Sequence, residues 1–172
     1  MNEAAIHLLL RYTARTTFVF FALAFTGNAL RELWPANFTV WLARKRDWFL
    51  IAVAISHTLH LAAIFALFQV IGWAKLRLLT VMGGGFVYLL IYGLALNAVA
   101  RLRSRQQRLF LGSPKLEAVA FYLIWLIFAL AFIPRIVSGW PVYSLLGITA
   151  LAALVLRIAC LMRHKRVRSA AA

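Results

Sequence analysis

Between Trp48 and Ala74 the chain carries no lysine, arginine, aspartate or glutamate, and four more runs of this kind follow or precede it. They are Thr16–Leu30, Leu78–Ala100, Ala118–Pro134 and Ile136–Leu156. A helix crosses ~30 Å of hydrocarbon with about 20 apolar residues. The second, third and fifth runs in chain order meet that length directly. The fourth meets it if Arg135 snorkels at its end. The first is short alone, but Ala4–Tyr12 is also mostly apolar, and Arg11 and Arg15 share one helix face from which both reach the interface.

Punctuation agrees with five spans, at about residues 4–30, 48–74, 78–100, 116–136 and 141–162. "LWPANF" (Leu33–Phe38) breaks the chain after the first span, and Gly72–Trp73 ends the second. In "LGSPK" (Leu111–Lys115), Ser113 is placed to cap a helix whose first residue is Pro114. "SGWP" (Ser138–Pro141) separates the fourth span from the fifth. Residues 163–172 lack an apolar period and read as a frayed basic cytoplasmic tail. The predicted fold is an all-α integral membrane protein, a bundle of five transmembrane helices in a single domain. Glu3 and His7 and the lack of a small-residue cleavage site speak against a cleaved leader.

Composition bears on partners. The chain is 65% hydrophobic and 13% charged, too apolar to cover a soluble surface. Its 19 Lys and Arg lie between the apolar runs, opposite only four acids. That placement points to anionic lipid head groups and away from nucleic acid. Fourteen of the bases fall on one side: Arg31, Arg44, Lys45, Arg46, Arg101, Arg103, Arg105, Arg108, Lys115, Arg157, Arg163, Lys165, Arg166 and Arg168. Only Arg11, Arg15, Lys75, Arg77 and Arg135 fall on the other. The positive-inside rule then puts the N-terminus outside and the C-terminus in the cytoplasm. Trp34, Trp41, Trp48, Trp73 and Trp140 lie near predicted span ends, as an aromatic belt requires. Gly83-Gly84-Gly85 begins a membrane helix, where it suits close helix approach and not phosphate binding. The one cysteine, Cys160, allows neither an intrachain disulfide nor a cysteine-only metal cluster, and reads as a small apolar residue near a helix end.

His57 and His60, in "ISHTLHL" (Ile55–Leu61), carry the chemistry. They sit roughly 14 to 18 Å into the second span, near the midplane, about 60° apart on one face. An imidazole in hydrocarbon needs a partner. Three readings are open. One imidazole ligates haem iron; the pair belongs to a proton or ion path; or the pair bonds to groups such as Tyr88, Tyr92 or Asn97 and holds the bundle together. The helix face through Val53, His57, His60 and Ile64 is expected to look into the bundle. Glu3, Glu32, Asp47 and Glu117 lie at or beyond span ends, which weighs against a carboxylate relay.

"RKRDWFLIAVAISHTLHL" (Arg44–Leu61) resembles the basic entry and histidine-bearing second helix of small bacterial membrane proteins of the ferric-reductase-like transmembrane group. "GGGFVYLLIYGLALNA" (Gly83–Ala98) resembles that group's next helix. "KLEAVAFYLIWLIFALAFIPR" (Lys115–Arg135), with Tyr122, Trp125 and Phe128, resembles its fourth. The group includes the haem-binding partner of periplasmic methionine sulfoxide reductase, the ferric reductases and the NADPH oxidases. The resemblance implies a bacterial inner-membrane protein. It further implies transmembrane electron transfer through b-type haem, with His57 or His60 as iron ligand and a quinol or separate cytoplasmic flavoprotein as donor. The chain departs from the group at one point. Relatives carry Leu-His at the start of the fourth helix, where this chain has Leu116-Glu117. The remaining haem options are a single imidazole, His57 or His60 with His7, or a ligand from another subunit. The alternative is a non-enzymatic accessory or assembly subunit of a larger membrane complex that has lost haem. Glu117 itself reads as a first-turn acid favouring its helix N-terminus, roughly 15 Å below His60 along the membrane normal.

Overall fold

The computed structural model describes the backbone of residues 2–72, 78–104, 113–138 and 141–170. Trp73, Lys75, Arg77, Arg105, Arg108 and Trp140 lie outside the described residues, as do the side chains of Lys165 and Arg168. Among the described residues there are six α-helices and no strand: α1 (Glu3–Leu33), α2 (Asn37–Arg44), α3 (Arg46–Ile71), α4 (Leu78–Ser104), α5 (Pro114–Phe132) and α6 (Pro141–Ala170). A 3₁₀ segment, Ile133–Ser138, follows α5. Five helical stretches are long and apolar enough to cross a membrane: Glu3–Leu33, Arg46–Ile71, Gly83–Arg103, Pro114–Val137 and Pro141–His164. The chain is an all-α, multi-pass membrane protein with five spans.

The ends follow local chemistry. Asn2 Oδ1 accepts from the Ala5 N–H at 2.9 Å, capping α1. Gly72, at φ 87°, donates its N–H to the Phe68 carbonyl and stops α3 in the left-handed conformation that glycine adopts without a Cβ penalty. Ser113 Oγ accepts from the Leu116 N–H at 3.2 Å, so Pro114 opens α5. Pro134 has no N–H to continue α5, and the chain tightens there into the 3₁₀ segment.

Two features depart from the sequence reading. The first is α2, within what reads as a loop. The Thr39 hydroxyl accepts from the Ala36 N–H at 3.0 Å and donates to the Trp34 carbonyl at 2.7 Å. It thereby satisfies groups that a helix start would orphan. Thr39 and Leu42 turn inward, while Phe38 and Trp41 stack outside with ring centroids 5.9 Å apart. The second is the tail, which continues α6 to Ala170 in place of fraying. No glycine or proline follows Gly147, and the basic residues suit a helix C-terminus.

The chain divides into two units, Met1–Phe21 with Asp47–Ile124 and Ala22–Arg46 with Trp125–Ala172. In the first, Ile6, Phe18 and Phe21 of α1 are buried, as are Leu50 and Val53 of α3, Ile91 and Leu94 of α4, and Phe121 and Ile124 of α5. Phe21 and Phe121 meet with centroids 5.9 Å apart. In the second, the 3₁₀ segment packs on α6. Ser144 Oγ donates to the Ile136 carbonyl at 2.9 Å, and the Arg135 guanidinium lies 5.6 Å from the Tyr143 ring centre. Close backbone approach occurs here, at Gly147, and not at the triple glycine. Among the described residues, a Cβ on Gly83, Gly84 or Gly85 meets nothing within 4 Å, so the expected helix approach at that run is not found there.

Candidate functional site

The first unit holds a polar seam built on α1, α3 and α4. Thr13 and Thr17 are one turn apart on α1 and both are buried. On α3 the buried positions are Leu50, Val53, Ala54, Ser56 and Ala63, with His57, His60 and Ile64 half-buried beside them. The expected inward face is therefore right in direction, and the most buried polar residue of α3 is Ser56, at 7% exposed. The Thr17 hydroxyl lies 2.9 Å from Ser56 Oγ and 2.8 Å from the Thr13 carbonyl.

His60 finds its partner on α1. Its Nδ1 is 2.9 Å from Thr13 Oγ1, whose own proton has an acceptor in the Leu9 carbonyl at 2.8 Å. A hydroxyl has one proton. With that proton on Leu9, the Nδ1–H of His60 donates to Thr13, and Nε2 keeps its lone pair. A second bond fixing the imidazole's far nitrogen is how a protein orients a ligating histidine.

His57 is held differently. Its ring packs on Tyr88 with centroids 4.2 Å apart and stacks on His60 at 5.5 Å and 13°. Its Nδ1 is buried with no hydrogen-bond partner among the described residues. An orphaned group of this kind costs about 1–3 kcal/mol, against roughly 0.5–1.5 kcal/mol from a well-placed ring pair. Of the partners expected from sequence, Tyr88 donates to the His57 backbone carbonyl at 3.3 Å, not to a ring nitrogen. Tyr92 meets Thr58 Oγ1 at 2.9 Å. Asn97 is fully buried, but nine residues beyond Tyr88 it stands about 13 Å further along α4.

Glu117 stands in the first turn of α5, as read from sequence, and it is also buried, at 6% exposed. Arg101, in the last turn of α4, places Nε 3.1 Å from both carboxylate oxygens of Asp47 and Nη2 2.6 Å from Asp47 Oδ1. The same guanidinium reaches Glu117 Oε2 through Nη1 at 3.1 Å. Each acid sits in the first turn of its helix, α3 or α5, so helix dipole and ion pair act in the same sense. Asp47 is thirteen residues before His60 on α3, about 20 Å along the axis. This level is distinct from that of the histidines, as depth counting implied.

The donor set can be tested against a b-type haem held by two histidines. The chain has four: His7, His57, His60 and His164. The groups that meet the two midspan imidazoles from α1 and α4 are a threonine hydroxyl and a tyrosine ring. His7 lies six residues before Thr13, about 9 Å along α1, and pairs with Glu3 at 3.5 Å. His164 lies against Glu32 and Cys160 in the second unit. Glu117, where the resemblance leads one to expect a facing histidine, has its carboxylate bonded to Arg101. A bis-histidine site does not fit these residues; what they offer is His57 Nδ1, without a hydrogen-bond partner among the described residues, and His60, held at Nδ1 by Thr13.

Sequence reasoning found His57 and His60 but missed Thr13, Thr17, Ser56 and Arg101. The available signal was the four-residue spacing of Thr13 and Thr17 on a face that also carries Ile6. Compared with protein-family models, with curated proteins and with solved structures, the chain matches none.

Proposed function

We propose that this chain is a ferric-reductase-like bundle of the bacterial inner membrane that serves as a non-enzymatic accessory subunit of a larger membrane complex and carries no bis-histidine haem. The observation that supports this reading is the fate of the facing ligand position. Glu117 stands there and is tied to Arg101 and, through it, to Asp47. The midspan histidines are meanwhile engaged by Thr13 and Tyr88. The seam then acts as a set of polar contacts that fix helix positions in lipid, where each interhelical bond contributes about 0.6 kcal/mol on average.

A second reading, electron transfer through a b-type haem with one imidazole of this chain, has one observation in its favour: Thr13 holds His60 at Nδ1, the kind of contact that orients a ligating imidazole. A single measurement separates the two. Protein purified from haem-replete cells should show no reduced-minus-oxidised b-type band, and neither should Glu117→His. A stoichiometric low-spin band lost in His60→Leu would overturn the accessory reading and establish the other.

Orientation follows from the bases. The N-terminus is outside, the C-terminus is cytoplasmic, and anionic head groups meet the fourteen-base side. A reporter fused after Ala172 should be active only as a cytoplasmic fusion. Neutralising Arg44, Lys45 and Arg46 together should scramble topology more than neutralising Lys75 and Arg77. Periplasmic activity of the wild-type fusion would reverse the assignment.

A further inference from the structure

The continuation of α6 past His164 brings together three side chains that the seam does not use. Cys160 and His164 are four residues apart and share one face of α6. Glu32, in the last turn of α1, meets both. Its Oε2 lies 2.8 Å from Cys160 Sγ and 3.2 Å from His164 Nε2, while Cys160 Sγ and His164 Nδ1 are 3.9 Å apart. The three ligand atoms fall within 4.8 Å of one another. Cys160, read from sequence as an apolar helix residue, therefore sits among polar groups.

We infer that Glu32, Cys160 and His164 form a binding site for a divalent late transition metal of the zinc class. The donor set carries the argument. One thiolate, one imidazole and one carboxylate are the three ligand types zinc accepts, and three protein ligands with an open fourth position is a recurrent zinc arrangement. With bonds near 2.0 to 2.3 Å, a tetrahedral ion separates its ligand atoms by about 3.3–3.6 Å. The carboxylate–imidazole distance, 3.2 Å, is just short of that range. The thiol–carboxylate contact must open by under about 1 Å, and the long side chain of Glu32 permits it.

Access is open, since the His164 side chain is 58% exposed and that of Glu32 35%. The fourth position falls to water. Without metal, the Cys160 thiol donates to Glu32; on binding, the S–H bond breaks, sulfur bonds to the ion, and the proton passes to solvent. Thiolate and carboxylate then balance the 2+ charge. Arg163, which donates to the Glu32 backbone carbonyl, holds the end of α1 against α6 at the site. Its own charge, with that of Arg157 over the Phe25 ring, limits affinity. Occupation would pin the last turn of α1 to α6.

The full chain, purified in detergent without a histidine tag and stripped with chelator, is titrated with Co²⁺ and then with Zn²⁺. One equivalent of Co²⁺ should give tetrahedral d–d bands and a thiolate-to-cobalt charge-transfer band, and Zn²⁺ should displace both. Cys160→Ser should abolish the charge-transfer band. Glu32→Gln and His164→Ala should each weaken Zn²⁺ binding by at least about tenfold, with helicity and elution profile unchanged. The two latter variants decide the matter should Cys160→Ser misfold. Absence of the charge-transfer band in the wild-type chain, or Zn²⁺ affinity unaltered in Glu32→Gln and His164→Ala, would overturn the site.

Discussion

Arg101→Leu should destabilise the protein by roughly 3 kcal/mol, the cost of leaving buried carboxylates without their cation. Asp47 and Arg101 side chains are each 21% exposed and that of Glu117 is 8%, so water screens this cluster poorly. Two acids and one base also give the triad a formal negative charge, which the helix N-termini help to offset. The loss should appear as a shift of the unfolding transition in mixed detergent–SDS micelles. The origin of the loss is testable by removing the stranded charges. Arg101→Leu with Asp47→Asn and Glu117→Gln should recover most of it, because neutral amides are far cheaper to bury than carboxylates. If the single variant stays within about 0.5 kcal/mol of wild type, the ordinary range for surface substitutions, the triad is not a structural clamp.

Gly147→Ala should destabilise by about 1–3 kcal/mol, the range for overpacking a filled contact. At an open helix site the same change stabilises, by roughly 0.5–1 kcal/mol. The sign is decided by what the new carbon meets. At Gly147 it falls 2.5 Å from Ile136 Cγ1, 2.8 Å from its Cδ1 and 3.0 Å from the Phe132 carbonyl oxygen. At Gly84 it meets nothing within 4 Å among the described residues, so Gly84→Ala should be neutral or stabilising. Ile136→Ala removes the two carbon contacts and should rescue Gly147→Ala in part, the backbone carbonyl remaining. Strictly additive effects in that double-mutant cycle would show that the two positions do not meet.

The spans were legible because hydrocarbon imposes a length and forbids charge, and both are properties of a contiguous segment. Ser113-Pro114 and Gly72 announced their helix ends for a similar reason: capping and left-handed backbone are local chemistry. The histidine pair was legible as a polar interruption in an apolar run. Its partners were not. Thr13 is 47 positions from His60, and a threonine in an apolar helix usually bonds its own preceding turn, as Thr13 also does. The helix of Asn37–Arg44 was hidden because its start rests on one threonine bonding back across a proline-containing turn.

The glycines and the charges mark the boundary most plainly. Sequence shows that Gly83-Gly84-Gly85 and Gly147 lack a Cβ, but not what stands opposite, and among the described residues only the second faces a packed neighbour. It shows Glu117 in a first turn, where an acid is favourable anyway, and Arg101 in a last turn, where a base is favourable anyway. That one guanidinium joins Asp47 and Glu117 depends on three helix ends arriving at one level. The sequence by itself determined the number of helices that cross the membrane, because hydrophobicity acts segment by segment. The tertiary structure alone decided which polar groups meet, because hydrogen bonds and ion pairs act over about 3 Å, and that distance is set by packing between helices far apart in the chain.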